Sequence, residues 1–149
     1  SKSNHTAMSS ISNFILTLFI AVIFSSCQTS TSGEQSHDEN SAIVLNQGKK
    51  WVVVPEMMHI IRSMESDINS FSGSSLEEHR ALGTKLQDNL NTLTSNCTMK
   101  GQGHDELHKW LLPFLDSVKE YTKSKNTAEA TRSYAQIKTS YDTVNRYFE

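Results

Sequence analysis

Residues 96–110, NCTMKGQGHDELHKW, hold a thiol, a thioether and two imidazoles: Cys97, Met99, His104 and His108. Thiolate and thioether are soft donors and imidazole is borderline, so the set suits copper, as Cu(I), or zinc, and Met99 leans it toward copper. His104 and His108 are four residues apart, the spacing at which a helix stacks two side chains on one face and offers both to a single ion. The same residues admit a plainer reading. A free cysteine packs as a small hydrophobe, methionine fills gaps, and histidines at a helix start pair with carboxylates or cap backbone. The elements that carry these side chains decide how far they can converge.

Apolar periodicity predicts four helices. "KKWVVVP" reads as a short extended segment ending at Pro55, a residue suited to a first helical turn. From about Pro55 to Phe71, Met57, Ile61, Met64, Ile68 and Phe71 draw one stripe. After "SGSS", Ser75 and Glu78 have the form of a capping box. The second helix runs to about Asn96 with Leu82, Leu86, Leu90 and Leu93 inside, its stripe reaching back to His79 and on to Cys97. A third helix starts near His104, where Asp105 and Glu106 suit the positive end of the helix dipole. Its inner face reads Leu107, Leu111, Phe114, Leu115 and Val118, and Pro113 within it predicts a kink. Asn126 and Glu129 open a fourth helix carrying Ala130, Tyr134, Ile137, Tyr141, Val144 and Phe148. No β-hairpin signal and no internal repeat is present.

Four amphipathic helices with short connections predict an all-α fold, an antiparallel up-down four-helix bundle over residues 43–149. That topology brings Cys97, at the end of the second helix, and His104, at the start of the third, to one end of the bundle. Trp51, Met57 and Met58 come to the same end, and Trp51, Trp110, Tyr147 and Phe148 give that end its aromatic side chains. Leu107, Leu111 and Leu115 accompany the two histidines, which are therefore expected to point inward. Met57 is a spare inward thioether, and His59, rotated about 200° from it, should face solvent. His79 is about 27 Å from Cys97 along its helix and takes no part.

Upstream, Phe14–Phe24 (FILTLFIAVIF) is an uncharged apolar run too short for a bilayer span, which needs about 20 residues, and of the right length for a secretory signal. It leads into Ser25, Ser26 and Cys27. The stretch IFSSC resembles a bacterial prolipoprotein lipobox, with Phe24 where a Leu-like residue is usual and no Lys or Arg between Met8 and Phe14. The resemblance implies a signal peptide over residues 1–26, with residues 1–7 an extension upstream of a start at Met8, and a lipid anchor on Cys27. The protein is then an exported, periplasm-facing lipoprotein of the cell envelope, held to the membrane by its N-terminus. Residues 27–42 carry no aliphatic or aromatic side chain larger than Ala after Cys27 and read as a flexible tether with a reach of about 20 Å. With Cys27 lipidated, Cys97 is left without an internal disulfide partner.

The segment C-T-M-x-G-x-x-H-D-x-L-H-x-W-L-x-P, Cys97 to Pro113, resembles a stretch found in a family of small secreted helical-bundle proteins of bacteria of uncharacterised function. That likeness supports an exported bundle and implies no activity.

Several function classes have little to stand on. The formal net charge is −2, and loss of Lys2 with the signal takes it to −3; with no basic patch, nucleic acid is not an expected partner. There is no Gly-rich phosphate loop, no G-x-S-x-G and no H-E-x-x-H, and no enzymatic activity is expected. A c-type haem would need C-x-x-C-H. "NCT" at Asn96 fits a glycosylation acceptor only in a eukaryotic host. Two functions remain: a binder of a soft transition-metal ion through Cys97, Met99, His104 and His108, and a structural or interaction lipoprotein whose aromatic end contacts an envelope protein.

Overall fold

The computed structural model describes residues 41–149; the expected signal segment, Cys27 and all but the last two residues of the tether lie outside the described residues. Proline lacks the N–H that a first helical position would leave unpaired, and α1 (Pro55–Ser70) starts on Pro55. Its buried side chains are Met57, Ile61, Met64 and Ile68, as spaced in the sequence. Phe71 ends it in extended conformation. α2 (Leu76–Ser95) opens with a reciprocal capping box: Ser75 Oγ accepts from the Glu78 N–H at 3.2 Å, and Glu78 Oε2 accepts from the Ser75 N–H at 2.9 Å. The Ser75 backbone donor, then its hydroxyl, then the Ser74 N–H hold the Glu78 carboxyl below the usual carboxylate range. α3 (Gln102–Thr122) begins two residues before His104, after Gly101 as N-cap, and runs through Pro113, which faces solvent. α4 (Thr127–Tyr147) is capped by Asn126 Oδ1, which accepts from the Glu129 N–H at 2.9 Å; Glu129 Oε2 reaches back one residue farther than a capping box requires, to the Lys125 N–H.

Polar ties between helices fix their directions. The Tyr134 hydroxyl donates to the Ile68 carbonyl (2.7 Å) and the Tyr141 hydroxyl to that of Ile61 (3.1 Å), so α4 runs antiparallel to α1. Lys85 pairs with Asp67 at 2.7 Å between α2 and α1, and Trp110 Nε1 donates to Ser140 Oγ at 2.8 Å between α3 and α4. α1 and α3 occupy opposite corners, their Cα atoms nowhere within 8 Å of each other, while α2 and α4 approach across the centre of this four-helix bundle. The core is filled by the expected stripes, with a change of phase on α3. There the buried face is Leu107, Trp110, Leu111, Phe114, Val118 and Tyr121, and Leu115, expected inside, is half-buried on one flank. Trp110 stacks on Phe114 at 4.8 Å, and Tyr141 meets both rings edge-on. Burial, and then the charge of Glu65, pushes the Tyr141 phenol up; burial, and then Tyr134, does the same to Tyr121.

Residues 41–54 form a strap across one end. Asn46 and Lys49 exchange both backbone bonds, at 2.8 and 2.9 Å, around a tight turn, an isolated bridge outside any strand. Gln47 and Gly48 both have positive φ, +51° and +83°, the requirement of a primed turn that glycine meets at least cost. Beyond the turn the strap lies parallel to residues 147–149. Trp51 N–H donates to the Tyr147 carbonyl, Glu149 N–H to that of Trp51, and Val53 N–H to that of Glu149, at 2.7 to 2.9 Å. Two-residue alternation buries Trp51 and Val53 and turns Val52 outward.

Candidate functional site

The connection from α2 to α3, residues 96–101, ends on Gly101 with φ +74°, a left-handed conformation that turns the chain into α3. His104 and His108 follow on the first turns of that helix. Their rings lie 4.0 Å apart, centroid to centroid, tilted by 52°, and both are half-buried. His104 Nδ1 is 3.5 Å from Asp105 Oδ1. The pair stacks as its spacing demands, yet it does not point into the core. At about 100° per residue, His104 and His108 stand about 60° and 100° round the helix from Leu107. Trp110 and Tyr121, on the other side of Leu107, pull the buried face away from them.

Met99 and Cys97 are half-buried and pack against the edge of the core. Gly103 explains how the loop closes on the helix: a Cβ there would lie 3.1 Å from Trp51 Cε3 and 3.8 Å from Met99 Cε. The missing side chain lets the Trp51 indole sit on the first turn of α3 beside the thioether. The structure thus brings Met99, Trp51 and the start of α3 together, and stacks His104 on His108. It does not gather the thiol and the two imidazoles into one ligand set, because among the described residues no three His, Cys, Asp or Glu side chains stand close enough to hold a metal ion.

The remaining candidates are committed elsewhere in the fold. Met57 is sealed in the core and Met58 is half-buried; His59 faces solvent, as expected. Trp51 and Trp110 are both buried, and both indole N–H groups are committed, to the Val44 carbonyl at 2.7 Å and to Ser140. Neither presents an aromatic docking surface.

Two buried polar groups make long-range bonds, and the sequence marked only one of them. Glu106, expected beside the helix dipole, is buried: its Oε2 accepts from the Val44 N–H at 3.0 Å and its Oε1 from Lys109 Nζ at 2.8 Å. Its partner in the strap is 62 residues away, and no local pattern announces such a bond. At the other end of the bundle His79 is buried with Nδ1 2.7 Å from the Tyr121 hydroxyl, ringed by Phe71, Tyr121 and Tyr134. Its place in the apolar stripe of α2 was the available signal.

Comparison with protein-family models, with curated proteins and with solved structures finds no match to this chain. The likenesses drawn from residues 23–27 and 97–113 therefore rest on those residues alone.

Proposed function

We propose that the protein is a lipid-anchored bundle facing the cell envelope that binds a soft or borderline transition-metal ion, copper before zinc, at the strap end. The stacked, partly exposed His104–His108 pair carries this reading, since two imidazoles on one helical flank are a ready two-nitrogen platform. Met99, already against the first turn of α3, offers a thioether from the connection, and Cys97 joins through a rearrangement of residues 96–101. A site completed by a moving loop suits sequestration and hand-over better than permanent storage. The thiolate supplies the strongest bond, and withdrawal of the loop releases the ion.

The test is a competition titration of residues 27–149 bearing Cys27→Ser, with Cu(I) and a chromophoric chelator. One-to-one binding, weakened at least tenfold by His104→Ala/His108→Ala and also by Cys97→Ser, is the expected result. Affinity untouched by the histidine pair, or no competition with the chelator, sinks the assignment.

A further inference from the structure

The large apolar side chains exposed among the described residues, Val44 (49%), Leu45 (38%) and Val52 (73%), all belong to the strap. Lys50 lies on the side that Val52 faces and Lys49 is exposed at the turn; residues 41–54 contain no Asp or Glu, and the exposed Glu149 is bonded alongside at Trp51 and Val53. We infer that this face of the strap rests on a phospholipid surface bearing anionic headgroups. The inference depends on the membrane-anchored part of the proposed function and is independent of the metal.

Four observations carry it. The alternation that turns Val52 outward places Lys50 on the same side of the segment, and Leu45 lies opposite Lys50 in the register set by the Asn46–Lys49 pair. Aliphatic side chains for the acyl boundary and ammonium groups for headgroup phosphates are the two components of interfacial binding. Second, the patch is held in shape by the fold: Glu106 grips the Val44 N–H, the Trp51 indole donates to the Val44 carbonyl, and the backbone of Trp51 and Val53 is bonded to residues 147–149. Third, the chain outside the described residues ends at Asn40, four positions before Val44, so the tether joins the bundle beside the strap, where residues 41–43 lie along the flank of α3 and α4 and Lys109 Nζ reaches the Ala42 carbonyl at 3.5 Å. Cys27, the expected lipid site, precedes the strap by a tether with a reach of about 20 Å. Fourth, a tether that short gives an effective concentration in the millimolar range. A patch too small to recruit a free protein is enough to orient a tethered one.

Docked in this way, the bundle stands with the starts of α1 and α3 toward the lipid, and the His104–His108 pair sits at the membrane-proximal end. A second copy of the chain is the rival occupant.

The experiment uses the chain expressed from its full sequence in a bacterial host and purified as processed there, with the lipid on Cys27 that the anchor reading requires, reconstituted on phosphatidylcholine vesicles with and without about one third phosphatidylglycerol, a content that sets a strongly negative surface. Trp110→Phe leaves Trp51, under the patch, as the sole tryptophan, and lipids brominated on the acyl chain quench an indole only at short range. Co-flotation of the chain together with Trp51 quenching in the mixed vesicles is expected. Leu45→Asp/Val52→Asp and, separately, Lys49→Glu/Lys50→Glu should each cut the quenching at least threefold while co-flotation and helix content stay unchanged. Flotation without quenching, or quenching indifferent to both variants, overturns the docked face and leaves the anchor standing. A chain that does not float overturns the anchor and the docking together. Loss of a dimer in sedimentation by Leu45→Asp/Val52→Asp, with quenching unaltered, gives the face to a second copy and also overturns the proposal.

Discussion

Replacing Glu106 by Ala should release the strap while leaving the four helices folded. Glu106 accepts two bonds, from the Val44 N–H at 3.0 Å and from Lys109 Nζ at 2.8 Å, and its side chain is almost wholly shielded from water. Cutting one partner from a fully buried ion pair costs about 3–5 kcal/mol because the other charge is stranded. Here the stranded groups have outlets: the Lys109 side chain is 17% exposed and Val44 is half exposed, so both can turn to solvent. The estimate falls to about 2 kcal/mol, one charge-assisted hydrogen bond to a backbone donor plus part of the ion pair. That is about a 30-fold change in an opening equilibrium. Native-state hydrogen exchange is the assay. The amides of Asn46, Lys49 and Trp51, all bonded in the strap, should lose protection by about that factor, while amides in the middle of α2 and α3 keep theirs. Strap amides whose exchange quickens by less than threefold, or a uniform loss of protection across all four helices, would refute the reasoning that Glu106 acts locally as the clasp.

Gly83 lies in α2 where a Cβ would stand 2.7 Å from Thr122 Cγ2 and 3.2 Å from Tyr121 Cδ1. Gly83→Ala gains about 1 kcal/mol of helix propensity and loses about 1–3 kcal/mol to overpacking. A net destabilisation of about 1 kcal/mol by urea denaturation is expected, and Thr122→Ser in the same chain should reverse its sign by removing the methyl group. At high pH, Tyr121 and Tyr141, whose hydroxyls burial holds in the neutral form, should ionise only as the bundle opens. Their folded values are raised, so the stability they contribute is complete below the ordinary phenol value near 10.0 and declines as pH rises above it, where the unfolded chain gives up its protons first. Absorbance near the phenolate band should therefore show two of the four tyrosines titrating together with loss of helix; all four ionising near 10.0 with the helix intact would contradict this.

Stripes at helical spacing were legible because a helix that must bury one face writes that face into every third or fourth residue. Met57, Ile61, Met64 and Ile68 on α1 and Leu82, Leu86, Leu90 and Leu93 on α2 stand where their spacing put them, and the Ser75–Glu78 box closed as its two residues required. On α3 the same pattern was ambiguous. Leu107, Leu111, Phe114 and Val118 belong to two overlapping stripes, one taking in Leu115 and the other Trp110 and Tyr121. Only the positions of α2 and α4 selected the second, because the aromatic rings stack against Tyr141 and His79 there.

The chain by itself therefore determined which segments are helices, how they begin, and that Cys97, Met99, His104 and His108 arrive at one end of a bundle. Hydrogen bonds and apolar periods within four residues of one another fix all of that. Tertiary structure decided the rest: that the two imidazoles stack on a flank instead of entering the core, that the thiol stands apart from them, that Glu106 is a buried clasp, and that residues 44–52 are folded back on 147–149 with Val52 left outside. Each of these depends on groups from about forty to about a hundred residues apart meeting at one surface, and such meetings are set by how helices rotate against one another to close the core.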